Sequence, residues 1–427
     1  VVLQKVSSLS KNILFLSIMA YLIVIFLPVF SVKGTLFNIM VLLSFLGFVA
    51  AVLLDGKINY LIISFLGLVI VFDFLIYKTQ WVGLYSFANK MLLLFEFWFP
   101  CLVSVYMFSR HEEFSNQYRK KLVDLFLLIY AVTCITTIVG NLRYDIPSRW
   151  LATGLTGELG YLYRIQNIGG FGFCYIVLFV AGLLVYMYRA TREKKYFALL
   201  VISYACAAVT QFTVLLFLLM SETFFMAYSF ISLRKKCFVL LFCVPLFCVL
   251  FLYLPEMLKS LLLLMEGNEV VQQRVKEVYD WISGIHHTGK ALGNRVDVYQ
   301  QSWDAFVQNP LIGCRNPEGI GGHSEILDLL GSCGLMGLCL LLGIIGCVYQ
   351  GFIPMYKKLS QMGKYHVKVT MLFFLALSTV NPVFSSRELG AVFMLTFLFV
   401  SVQKPRASVR ASSGYKDYRE VGLEEKR

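Results

Sequence analysis

Charged side chains are scarce in this chain: they make up 15% of its 427 residues against 58% hydrophobic, and the mean hydropathy is +0.73. A soluble domain carries roughly 25% charged residues, so a water-soluble globule is excluded. Period-two alternation of apolar and polar residues is also missing, which excludes an outer-membrane-type barrel. The eleven cysteines are scattered singly with no CxxC pair, so neither a zinc site nor a disulfide framework is indicated. Most of them, including Cys101, Cys134, Cys174, Cys206, Cys339 and Cys347, fall inside apolar blocks and read as small packing residues. The chain has no P-loop and no Asp-x-Asp motif of the kind that holds a metal and a sugar nucleotide. A cytosolic nucleotide-using enzyme is therefore not expected.

What is present is a series of continuous apolar blocks, long enough to cross roughly 30 Å of hydrocarbon as helices of about 20 residues. No small-residue cleavage site follows the first block, Ile13 to Phe30, which is expected to stay as an anchor. The net charge of +13 is concentrated in short links: Arg119-Lys120-Lys121, Arg189 to Lys195, Arg234-Lys235-Lys236, and Lys357-Lys358 with Lys364. With Lys5, Lys11 and the tail after Val402, basic residues fall at every second connection. That is the positive-inside pattern, and it requires no nucleic-acid partner.

Placing the basic links in the cytoplasm predicts an all-α polytopic membrane protein with both termini inside. The spans are 13–31, 35–54, 58–77, 84–108, 122–140, 166–188, 196–209, 212–232, 237–254, 326–350, 367–384 and 388–402, about twelve helices. The apolar region 196–232 is divided near Thr210-Gln211, because a single crossing would put Arg192 to Lys195 and Arg234 to Lys236 on opposite sides. The chain thus reads as helices one to nine in 1–254 with a medium outer loop at 141–163, a large extracytoplasmic loop at 255–322, helices ten to twelve in 323–402, and a cytoplasmic tail at 403–427.

The large loop has helical periodicity of its own. Val271, Val275, Val278 and Ile282 recur at three- and four-residue steps, as do Val296, Tyr299, Trp303, Phe306 and Val307. Two amphipathic helices lying on the membrane or on the bundle are expected, the second capped by Asn294 with Asp297 and followed by Pro310. No internal repeat is visible and the loops are lopsided, which weighs against a symmetric transporter. The glycines of "GGFGF", Gly169 to Phe173, lie inside an apolar block and suit helix packing better than phosphate binding.

On the outer side stand Arg164, Arg295, Arg315, His323 and Arg387. Each has an ordinary reading. An arginine at a membrane rim snorkels to headgroups, Arg315 sits in a turn-rich stretch, and Arg387 precedes Glu388 as if for a local ion pair. Arg295 lies beside the apolar face of its helix, where a surface charge and an anion clamp are equally open. His111 and His366 fall on the cytoplasmic side and are expected to be solvated, and the His286-His287 pair lacks the further ligands that a metal needs. His323 differs: it stands behind two glycines, just ahead of a helix, as a cap, an interface group or a catalyst. Within the blocks, Asp73, Glu96 and Glu222 each require a partner or a wet cavity.

The run from Gly293 to Gly343 reads "GNRVDVYQQSWDAFVQNPLIGCRNPEGIGGHSEILDLLGSCGLMGLCLLLG". It resembles the signature of the bacterial O-antigen ligase and surface-polysaccharide polymerase superfamily, through Arg295, Trp303, Asn309-Pro310-Leu311 with Gly313, His323, and Gly334-Leu335 with Gly337-Leu338. The sequence departs from that pattern at Ser324, where members often carry Asn, at Cys333, where they carry Glu, and in the short run between Gly313 and His323.

The resemblance implies a GT-C-like, inverting, metal-independent glycosyltransferase without a cofactor, in the bacterial cytoplasmic membrane. It would act at the outer face on undecaprenyl-pyrophosphate-linked oligosaccharide, for capsule or lipopolysaccharide synthesis. Arg295 and His323 would be catalytic, and Arg164, Arg295 and Arg315 would bind pyrophosphate. A polymerase, aided by a chain-length regulator, and a ligase acting on lipid A-core or another acceptor both fit. A flippase would show matched halves, and a scaffold would have no reason for this spacing.

Overall fold

In hydrocarbon every backbone N–H and C=O must be satisfied within its own segment, so a continuous apolar block folds as a helix. The computed structural model follows that rule. It describes residues 2–402 except 33, 57–58, 79–86, 111, 153–156, 229–252, most of 265–290, 315–319 and 321, and contains no strand among them. The expected span at 237–254, the amphipathic helix of Val271 to Ile282, Arg315, His111, the His286-His287 pair and the tail lie outside the described residues.

Among the described residues, ten α-helices precede residue 229: α1 (Val2–Phe26), α2 (Gly34–Asp55), α3 (Tyr60–Lys78), α4 (Phe87–Ser109), α5 (Asn116–Arg143), α6 (Pro147–Ala152), α7 (Gly157–Ile165), α8 (Phe171–Thr191), α9 (Lys194–Thr210) and α10 (Thr213–Tyr228). Five follow: α11 (Leu254–Leu264), α12 (Ala291–Gln308), α13 (Glu325–Lys358), α14 (Gln361–Val380) and α15 (Arg387–Ser401). Ser115, Ser324 and Ser360 cap α5, α13 and α14, each accepting from a backbone N–H three residues on.

Among the described residues, five helices are long and apolar enough to cross a membrane: Ser8–Phe26 of α1, then α2, α5, α8 and α13. Shorter apolar stretches lie at Tyr60–Ile76, Phe95–Ser109 and Thr213–Tyr228. Leu42, Leu43, Leu46, Ile63, Ile70 and Phe217 face outward. The chain has the character of a polytopic membrane protein, with large apolar side chains on the outside of a helical bundle.

Two helices form the centre: α8 is buried from Gly172 to Met187, and α15 from Leu389 to Ser401. Helices α9 and α10 both pack on α8, α4 packs on α15, α1 packs on α2, and α13 packs on α3 and α4. The division at 210–211 is a left-handed turn, with Gln211 at φ 56° between α9 and α10. The bundle has two polar ends. At one, Arg110 bonds Asp55 and Glu113, and Lys358 bonds Glu112. At the other lie the links 27–32, 144–152, 157–170 and 381–386.

Three local expectations need correction. Asn294 is not a cap, because α12 begins three residues earlier at Ala291; Ala and Leu favour helix, and one Asn inside costs only about 0.5 kcal/mol. His366 is not solvated: it is fully buried in α14, stacked on Tyr186 with ring centroids 5.0 Å apart. The sixth block starts at Phe171 rather than 166, and Arg164 belongs to the separate short helix α7.

Candidate functional site

The signature residues meet as a backbone lock. Helix α12 lies across α13, touching where Gly331 has no side chain; a Cβ there would sit 2.7 Å from the Ser302 carbonyl oxygen. After α12 the chain turns, with Gly313 N–H donating to the Asn309 carbonyl at 2.8 Å. Opposite this turn α13 is interrupted at Gly334, whose φ of 61° and ψ of −159° suit glycine alone. The interruption frees two N–H groups. Leu335 donates to the Pro310 carbonyl at 2.8 Å and Met336 to that of Leu311 at 3.1 Å, while Cys314 N–H donates to the Gly331 carbonyl at 2.7 Å. The Asn-Pro-Leu-x-Gly turn and the Gly-Leu-x-Gly-Leu helix are thus two halves of one joint.

Asp328 ties this joint to the link that carries His323. Its Oδ1 accepts from Ser302 Oγ of α12 at 2.6 Å, and its Oδ2 accepts from Ser324 N–H at 3.0 Å. Buried Glu325 does the same for the α14–α15 link: its Oε2 accepts from Phe384 N–H at 2.7 Å, and its own N–H donates to the Asn381 carbonyl at 3.4 Å. His323 itself is exposed, behind Gly322 at φ 74°. Arg295 lies in the second turn of α12, four residues before Tyr299, whose hydroxyl donates to the Val380 carbonyl at 3.5 Å. The Arg295 side chain lies outside the described residues.

At the same end, Arg164 and Arg387 face one cavity of about 150 Å³, also lined by Ser31, Gly170, Phe171 and Glu388. Arg164 is held there by the turn that follows it. Asn167, at φ 58°, donates through Nδ2 to Thr133 Oγ1 at 3.1 Å and Thr136 Oγ1 at 3.2 Å of α5, and its Oδ1 accepts from Val29 N–H at 3.4 Å. Arg164 has no acidic partner among the described residues. Its burial, and then the neighbouring charge of Arg387, lower its basicity; a guanidinium remains a cation even so.

Arg387 does not pair with Glu388, contrary to the expectation from their adjacency. Consecutive residues on a helix point in different directions. Glu388 Oε2 instead accepts from Ser386 Oγ at 3.0 Å, in a space that Gly172 of α8 leaves open. Arg387 reaches across to α4, donating to Glu96 Oε2 at 3.5 Å, with its guanidinium 3.9 Å from the centre of the Phe37 ring. Glu96 therefore has its partner. Glu222 has none among the described residues: it is fully buried against Gly182 of α8, and neither carboxylate oxygen is hydrogen-bonded. For Asp73, Oδ1 is likewise unbonded.

The structure thus brings Arg164 together with Arg387, which sequence reasoning had set aside, and ties the His323 link to the Arg387 link through Glu325. Asn167 and Asp328 were missed altogether. An Asn ahead of Gly-Gly was the available signal for the first, since Asn tolerates a left-handed turn. Comparisons with family models, with characterised proteins and with solved structures return no match.

Proposed function

We propose that the protein is a membrane glycosyltransferase that extends a surface polysaccharide, transferring an undecaprenyl-pyrophosphate-linked glycan onto a lipid-linked repeat unit at the outer face of the bacterial cytoplasmic membrane. In this reading the chain crosses about twelve times in a GT-C-like arrangement with both termini inside. The observation that carries it is the joint between the Asn309–Gly313 turn and Gly334, which makes one scaffold of the helix bearing Arg295 and the link bearing His323.

The chemistry follows from the residue types. An acceptor hydroxyl attacks the anomeric carbon of the donor, the bond from that carbon to the pyrophosphate oxygen breaks, and configuration inverts. The hydroxyl proton passes to His323, an imidazole being the side chain most often used as a general base. Charge grows on the departing pyrophosphate, and guanidinium groups hold two of its oxygens at once without a metal. Arg295 and Arg164 take that role. Helix α12 shields the reacting carbon from water, which would otherwise hydrolyse the donor.

A ligase reading differs only in its acceptor, a lipid A-core or other sugar. Replacing His323 and Arg295 by Ala, with membrane levels checked, distinguishes the outcomes. Accumulated single repeat units support the polymerase, whereas polymer left on its lipid carrier supports the ligase. Normal long chains in both variants refute transfer by this site.

A further inference from the structure

We infer that the cavity between Arg164 and Arg387 receives one phosphate group of a lipid pyrophosphate, with Arg387 handed from Glu96 to the incoming anion. That the anion is the transferase's donor rests on the proposed function. That a prenyl pyrophosphate binds here does not.

Arg387 is held in a way that leaves it available. A guanidinium offers five N–H donors, yet among the described residues its ion pair is a single contact at 3.5 Å, beyond the 2.7–2.9 Å of a strong charge-assisted bond. The Phe37 ring at 3.9 Å supports the cation face-on without using its N–H groups. The side chain is 25% exposed while Glu96 is 3% exposed, so the acid is fixed and the base can move. Across the cavity Arg164 has no acidic partner among the described residues, and the two cations disfavour each other. An anion between them removes that repulsion.

Charge and lining select the ligand. A cavity of about 150 Å³ between two guanidinium groups has room for a phosphate group. Most of the remaining wall, including Val24, Ile25, Leu151, Ile168 and Phe171, is apolar, with the Ser31 hydroxyl as its neutral polar group. Such a site favours a phosphate attached to a hydrocarbon chain over one free in water. Glu388 also lines the cavity and opposes an anion, but its Oε2 is engaged by Ser386.

The two acids give the test a sign. If Arg387 is handed over, Glu96→Gln frees it and tightens binding, while Arg387→Ala weakens it; a merely structural bridge predicts that both weaken binding alike. The full chain in zwitterionic nanodiscs is titrated with farnesyl pyrophosphate and, separately, with inorganic pyrophosphate. Arg387→Ala and Arg164→Ala are each expected to lose ten-fold or more in Kd, about 1.4 kcal/mol. Glu96→Gln is expected to gain several-fold. Should Arg387→Ala not fold, Glu96→Gln carries the test alone, since it keeps the size of the side chain and leaves Arg387 in place.

Loss of binding in Glu96→Gln, or parental affinity in Arg387→Ala, overturns the inference. Equal affinity for the two pyrophosphates overturns its lipid-linked part, and equally strong competition by phosphatidylglycerol reassigns the cavity to headgroups. His323→Ala separates this from the proposed function. Chain growth unaffected in His323→Ala and Arg295→Ala, with the opposed effects of Glu96→Gln and Arg387→Ala intact, sinks the transferase and leaves the site. Chain growth that needs His323 but pyrophosphate binding that ignores Arg387 sinks the site alone.

Discussion

Replacing Gly334 by Ala attacks the joint without touching any chemical group. Gly334 holds φ 61° and ψ −159°, a conformation that costs an L-residue about 1–3 kcal/mol. The added Cβ would also lie 2.6 Å from the Leu311 carbonyl carbon and 2.7 Å from the nitrogens of Ile312 and Gly313. Those are backbone atoms, which cannot rotate away as a side-chain tip can. Relief requires the Asn309–Gly313 turn to lift off α13, breaking the bonds from Leu335 and Met336, each worth about 1 kcal/mol net. The total is roughly 3–5 kcal/mol, localised at the α12–α13 contact. Gly346 is the control: it lies in the same helix with nothing within 4 Å of an added Cβ, so Gly346→Ala is expected to be neutral. The assay is thermal unfolding in detergent with limited proteolysis of the loop between α12 and α13, followed by polysaccharide chain length in cells. Gly334→Ala should melt earlier, cut faster and lose chain growth. If it melts and cuts as Gly346→Ala does, the joint does not exist as described.

Ser302→Ala removes the 2.6 Å bond to Asp328 and should destabilise by about 2 kcal/mol, a value that chemical or thermal unfolding reads directly; an unchanged midpoint would show that Asp328 is satisfied elsewhere. His366→Phe should be close to neutral, because the ring stacks on Tyr186, its Nδ1 has no partner among the described residues and its Nε2 makes only a long 3.4 Å contact with Thr370 Oγ1; a loss above about 2 kcal/mol would mean that the imidazole nitrogens matter. Gly182→Ala should be destabilising, since its Cβ would fall 2.5 Å from Glu222 Oε1, and the cost should shrink when Glu222 is also Ala. A double-mutant cycle with no coupling would refute that contact.

Much of the helical plan was legible because one physical rule dominates it: apolar blocks long enough to span become helices, and their ends fall where charge or turn residues resume. The turn at Gln211 was readable from the requirement that Arg192 to Lys195 and Arg234 to Lys236 share a side. Boundaries set by local competition were less legible. Asn294 looked like a cap, but it lies inside α12, since a single weak helix former does not outweigh the Ala-Leu start before it. The site was half legible. Arg164 and the glycines of the signature carried patterns in sequence. Arg387 did not, because its true partner, Glu96, lies 291 residues away and the adjacent Glu388 offered a plausible but wrong one. Asp328 was invisible for a related reason. Its role depends on Ser302 reaching across from another helix, and nothing in "ILDLL" distinguishes it from an ordinary first-turn acid stabilising the helix N-terminus.

The joint also divides the signature by function. Asn309-Pro310-Leu311, Gly313 and Gly334 act through backbone geometry: a turn, an interrupted helix, and three N–H to carbonyl bonds between them. Such positions tolerate little change, yet none of them offers a proton or a charge to a substrate. On the proposed function, the chemistry therefore falls to side chains placed by that frame or beside it, His323 on its exposed link and Arg164, Arg295 and Arg387. The departures at Ser324 and Cys333 then take on distinct meanings. Ser324 still caps α13, accepting from Leu327 N–H at 3.3 Å, so the frame survives that change. Cys333 is fully buried beside Gly334, where a glutamate would bring charge into the joint itself. With a thiol there, the acids of this end have other duties: Glu325 and Asp328 are engaged by backbone N–H groups and by Ser302, and Glu96 pairs with Arg387.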